Sequence, residues 1–208
     1  MASEPGANPD TFGELKLNLP DSTCMALIMP RIAPITLETA TPEQKAVWDE
    51  TVAAHGVVTN MKATLLHSPV ALHAVLEWYA LFDRVKPFLS EREAILFCNA
   101  ISRANCCELC SLFMRRAIVD WGEDPDHLVL DERAQTLTAF GRKLALDANG
   151  VSDAPYDQMK AHFTDVQIVD LTAFGALMIV NNLFDSALKV ETDASLRPYK
   201  VSPEVLFR

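Results

Sequence analysis

The chain has 208 residues, of which 50% are apolar and 22% charged, and its formal net charge is −10. This is a globular composition that excludes wholesale disorder, and at this length folding into one core buries about 70% of the surface of the unfolded chain. So acidic a chain, with no basic run longer than Arg115-Arg116, is excluded from the usual ways of holding nucleic acid or an anionic membrane.

Residues 1–28 carry Pro, Gly, Asn and Asp without a sustained period and read as an irregular N-terminal arm; the start, MASEPGANPD, has neither the basic nor the apolar region of a signal peptide. Pro30 and Pro34 keep the backbone extended. Thr41 as N-cap, Pro42 at the first helical position and Gln44 three residues after the cap form a capping box, and Gly56 stops that helix. Ser68-Pro69 opens a second helix, in which Val70, Leu72, Val75, Leu76, Tyr79 and Phe82 recur at helical spacing up to Val85. Ser90 and Glu93 make another capping box, and the apolar run Ala94 to Ala104 predicts a buried helix ended by Asn105.

The spacing predicts a further helix from Cys107 to Asp120, stopped at Trp121-Gly122. An amphipathic helix follows over 131–147, then a short one near Pro155 to His162. Thr164 and Gln167 form a third capping box and open a helix through Leu188 that is hydrophobic almost all round. Its most apolar part, Leu171 to Val180, is about half the length of a bilayer span, so no membrane partner is expected. Residues 191–208 read as an extended C-terminal tail. No segment sustains period-2 alternation, and seven glycines with 8% aromatic residues also favour helix over a strand-rich fold. The expected fold class is all-α.

Five cysteines, four of them between Cys98 and Cys110, make an odd and uneven set unlike a secreted disulfide framework; a cytoplasmic location is the expectation. Cys107 and Cys110 form a C-x-x-C at a helix start. Side chains three apart on a first turn share a face and lie within disulfide range, and the positive end of a helix favours a thiolate. By spacing alone the pair reads as a redox dithiol or as inert core cysteine. Zinc needs four ligands and no second Cys or His pair is at metal spacing, so neither metal nor cofactor is expected. His55, His67, His73, His127 and His162 read as surface or packing residues, and Glu108 as solvent-facing.

Leu89-Ser-Glu-Arg-Glu-Ala, an apolar helix, and Ser102-Arg-Ala-Asn-Cys-Cys-Glu-Leu-Cys110 together resemble the carboxymuconolactone decarboxylase and alkyl hydroperoxidase D-like (AhpD-like) superfamily. Met29-Pro-Arg-Ile-Ala-Pro, Thr41-Pro-Glu-Gln, His67-Ser-Pro and Phe163 through Asn181-Asn-Leu-Phe-Asp extend the resemblance over residues 29–190. It implies a compact helical protomer assembling as a dimer, trimer, hexamer or other homo-oligomer. It also implies a thiol peroxidase in which Cys110 attacks a hydroperoxide, Cys107 resolves it as a disulfide, and a dithiol reductant restores both thiols. The family's relay uses an upstream Glu and a His four residues after the second Cys. Here those positions hold Ile95 and Met114; Glu93, two residues from Ile95, is the carboxylate that remains as a candidate catalytic residue. Alternatives on the same fold are a small-molecule lyase or isomerase and a non-catalytic oligomer that senses redox state or binds.

Overall fold

A computed structural model describes residues 29–207, so the expectation for the arm over 1–28 falls wholly outside the described residues. Nine α-helices and two 3-10 turns follow one another, with no strand among the described residues: α1 (Pro42–His55), α2 (Asn60–Leu65), α3 (Pro69–Val85), α4 (Glu91–Ala104), α5 (Glu108–Asp120), α6 (Glu132–Asp147), α7 (Asp153–His162), α8 (Asp165–Leu188) and α9 (Pro203–Leu206).

All three capping boxes form. Thr41, Ser90 and Thr164 accept the backbone N–H of the residue three further on, and Gln44, Glu93 and Gln167 return a bond to the cap N–H, which satisfies two otherwise orphaned donors per helix. Helix α4 is the hub, packed on α5, α6 and α8, while α3 lies along the other flank of α8. At its centre Phe97 of α4 stacks on Phe174 of α8 with centroids 6.1 Å apart, both fully buried. Gly141 and Gly175 make room for that ring: a Cβ would come within 2.8 Å of Phe97 at the first and 3.0 Å at the second. A smaller cluster of Ile35, Val47, Leu65, Leu66, Leu72 and Val75 joins α1, α2 and α3.

One expectation changes. The C-terminal segment is not an extended tail: a 3-10 turn over Ala194–Tyr199 and α9 both pack on α5, burying Leu196 and Leu206. Their apolar anchors are too few and too far apart to show a period. Helix α8, at 24 residues, is longer than its most apolar stretch and by length and composition could cross a bilayer. Its inner face instead carries Asn181, Asn182 and Asp185, buried against the rest of the bundle.

Candidate active site

The turn between α4 and α5 places the cysteines. Cys106 takes the left-handed conformation (φ 51°); its N–H bonds to the Arg103 carbonyl at 3.1 Å and that of Cys107 to the Ser102 carbonyl at 3.0 Å. This is a Schellman ending for α4 with Cys106 in the position glycine usually takes. The reversal delivers Cys107 as N-cap of α5, where its Sγ accepts the Cys110 N–H at 3.4 Å. Cys110 therefore sits at the third position of α5, on the first turn as the spacing predicts. Both thiols are buried, Cys107 1% and Cys110 5% exposed, and none of the described cysteines is in a disulfide.

The third member of the site comes from α8. Asp185, 5% exposed, accepts the Cys110 thiol at 3.1 Å on Oδ2, with the Cys107 sulfur 3.9 Å from the same oxygen. Burial pushes the Asp185 carboxyl up to about 7, against the lowering effect of the thiol hydrogen bonds. A carboxyl group at that point exchanges protons readily near neutrality. The hydrogen bond with Cys107, burial and the nearby negative charge raise the Cys110 thiol well above its ordinary value, so Cys110 rests as a thiol donating to Asp185.

The two thiols belong to the apolar core, and neighbouring elements add a few buried polar groups. Ser102 Oγ donates to the Cys98 carbonyl at 2.8 Å and reaches Asn182 Oδ1 at 3.4 Å, while Asp185 Oδ1 and Ser111 Oγ are buried without a protein partner among the described residues. Asp193 accepts the Asn60 N–H at 2.9 Å, and its charge adds to the upward push on Asp185. Lys62, buried beneath the Tyr79 ring, donates to the Val57 carbonyl at 3.0 Å. Two surface clefts, of about 300 and 340 Å³, are lined by α6 with α7 and by α4 with α6; neither includes Cys107, Cys110 or Asp185.

Glu93 is not brought to the thiols. It lies in the first turn of α4, bonded to Ser90 and paired with Arg133 at 3.1 Å. Cys107 follows the far end of that helix, about 20 Å along its axis at 1.5 Å per residue. Met114 is a core side chain, 9% exposed. No histidine joins the thiol cluster among the described residues; His67 contacts the Ala33 carbonyl and His55 stacks on Tyr79. Glu108 pairs with Lys200 of the C-terminal segment at 3.0 Å. Cys98 is fully buried, and burial pushes its thiol far up. Sequence reasoning missed Asp185. The signal available was a carboxylate one turn after Asn181 and Asn182, beyond the most apolar stretch of α8.

No family model and no curated protein matches the sequence. Solved structures do match the fold. An alkylhydroperoxidase AhpD core, an uncharacterized peroxidase-related protein from Ralstonia eutropha JMP134, superposes with a TM-score of 0.65 at 19% identity, over 82% of this chain and 96% of that one. A peroxidase-related protein from Silicibacter sp. TM1040 gives 0.63 at 18% identity, covering 82% and 97%. The debrominase Bmp8 gives 0.61 at 14% identity, covering 84% and 97%. These identities speak to architecture alone, and on that count the chain has the all-α AhpD-like fold.

Proposed function

We propose that this protein is a thiol-dependent oxidoreductase that reduces hydroperoxides through a Cys107/Cys110 dithiol–disulfide cycle. The observation that carries the reading is Asp185, whose single oxygen Oδ2 contacts both sulfurs and whose carboxyl is poised at about 7. The fold shared with peroxidase-related proteins supports it.

In the first step the Cys110 sulfur attacks the terminal oxygen of R–O–O–H. The O–O bond breaks, sulfur is oxidised to a sulfenic acid and the peroxide is reduced to the alcohol. Asp185 takes the Cys110 proton as the sulfur attacks and returns it to the leaving alkoxide. In the second step the Cys107 sulfur displaces hydroxide from the Cys110 sulfur, and the Cys107 proton leaves with it as water. One hydroperoxide and two thiols become one alcohol, one water and one disulfide, and a dithiol reductant reverses the last bond by exchange. Cys110 is the attacking sulfur because it is the more exposed of the two and bonds Asp185 directly.

Reductive dehalogenation is the second reading, favoured by the debrominase among the fold neighbours. There the same dithiol would become a disulfide, giving two electrons and one proton to an aryl halide, which leaves as arene and halide, while the second thiol proton goes to solvent. A lyase or a binding protein would leave an organic hydroperoxide untouched, and a redox sensor would be oxidised once without sustained turnover in the presence of a dithiol reductant.

The test is single turnover. Reduced protein, freed of reductant, should lose two thiols per equivalent of cumene hydroperoxide and yield a Cys107–Cys110 disulfide by peptide mapping, with Cys98 unmodified. Cys110→Ser should abolish the reaction. Persistence of the thiols, or a dominant link through Cys106 or Cys98, would overturn the assignment.

The homo-oligomer implied by the family resemblance belongs to the same proposal. The outer side of α8 carries Val166, Val169, Ala173, Ala176, Val180, Leu183 and Ala187, alternately three and four residues apart, with Val166, Val169 and Leu183 more than 60% exposed, Ala173 half-buried, and Val180 half-buried against the cluster of α1, α2 and α3. The stripe is nearly palindromic about its two central alanines. An antiparallel second copy of α8 would therefore meet small against small and branched against branched, as a two-fold contact requires.

A further inference from the structure

The three groups of the site have a property the redox cycle does not use: they are all metal ligands, and they are already close to metal-ligand spacing. Cys107 Sγ, Cys110 Sγ and one Asp185 oxygen lie within 4.8 Å of one another, all buried. Around tetrahedral zinc, with Zn–S about 2.3 Å and Zn–O about 2.0 Å, neighbouring sulfur and oxygen ligands stand about 3.5 Å apart. The two sulfur–oxygen distances here are 3.1 and 3.9 Å, one on each side of that figure. The other Asp185 oxygen, Oδ1, is buried with no protein partner among the described residues, so the carboxylate can turn towards an ion without giving up another bond. The C-x-x-C spacing supplies two ligands and the sequence shows no second pair; the fold supplies the third from 75 residues further along the chain.

We propose that the reduced Cys107–Cys110 pair and Asp185 form a three-ligand site for Zn²⁺, with water in the fourth position, and that metal and disulfide exclude each other. Two sulfur donors select a borderline-soft ion over Mg²⁺ or Ca²⁺. Binding involves no electron transfer: Zn²⁺ forms two bonds to sulfur and one to oxygen, and the protons held by the thiols and by Asp185 leave to solvent, so affinity rises with pH. Oxidation of the pair removes both sulfur ligands and releases the ion. Binding stands independently of the peroxidase reading; blockage of peroxide reduction by bound zinc rests on it.

Co²⁺ is the probe, because a thiolate-ligated tetrahedral cobalt site absorbs visibly and Zn²⁺ displaces it. Reduced protein should take up one Co²⁺ per chain, show sulfur-to-cobalt charge transfer with tetrahedral d–d bands, and lose both on adding one equivalent of Zn²⁺. The disulfide form should bind none. Cys106→Ser should retain the signal, the double variant Cys107→Ser/Cys110→Ser should lose it, and Asp185→Asn should weaken binding at least about tenfold. X-ray absorption on the native zinc-loaded protein, which needs no variant to fold, should show two sulfur and two lighter ligands. Equal uptake by reduced and oxidised protein, no uptake by the reduced form, four sulfur neighbours, or unchanged affinity in Asp185→Asn would each overturn the site. Metal uptake without peroxide turnover would leave this site standing and defeat the peroxidase reading instead.

Discussion

At the scale of single residues, Asp185 joins stability to pH. Its carboxyl is raised to about 7 in the fold against about 3.9 in an unfolded chain. Between those values the folded state holds a proton that the unfolded state has released, so this contribution to stability is full below pH 4 and is lost as pH rises through 7. Three units at 1.36 kcal/mol each make the whole effect about 4 kcal/mol. Asp185→Asn removes it. Urea denaturation under reducing conditions should therefore show the variant gaining about 2–3 kcal/mol on the native protein between pH 5 and pH 8; an equal difference at both pH values would contradict the burial argument. The two thiols were legible from the C-x-x-C alone because three residues on a first helical turn fix their geometry. Asp185 was not, since the contact spans 75 positions and no local period reports it. Glu93 looked like the missing carboxylate from its place in the sequence, but its capping bond to Ser90 and its pair with Arg133 already account for it.

Among the elements, those with strong ends were the readable ones. The three boxes at Thr41, Ser90 and Thr164 fixed where α1, α4 and α8 begin, because each cap is decided within four residues. Short α2 was not readable because six residues are too few to show a period, and the folded C-terminal segment was not because it holds its shape through contacts with distant α5. Two predictions belong here. Gly141→Ala forces a methyl against the buried Phe97 ring, and overpacking of this kind costs about 1–3 kcal/mol; the denaturation midpoint should fall accordingly, and an unchanged midpoint would show the α4–α6 contact to be looser than described. Charging the outer stripe of α8 through Val169→Glu with Leu183→Glu should lower the mass seen by light scattering without changing the helical circular dichroism. A native monomer at micromolar concentration would contradict the proposed contact.

For the whole molecule, the fold brings the end of one buried helix, the start of the next and the inner face of a third to a single point. Helix α4 ends in the Cys106 turn, α5 begins on Cys107, and α8 crosses both with Asp185 inward. Met114 stands in the family's relay position and moves no proton; the structure offers instead a carboxylate from α8, so on the proposed reading neutral-pH turnover is expected without any change at Met114. Single-turnover oxidation by cumene hydroperoxide, followed from pH 5 to pH 9 in the native protein and in Asp185→Asn, tests this most directly. The native rate should rise through an inflection near pH 7, where Asp185 ionises. The variant should lose that inflection and react about 10²–10⁴-fold more slowly at pH 7.5, the usual worth of a positioned acid–base group. Equal rates and the same inflection in both proteins would show that Asp185 carries no proton for these thiols.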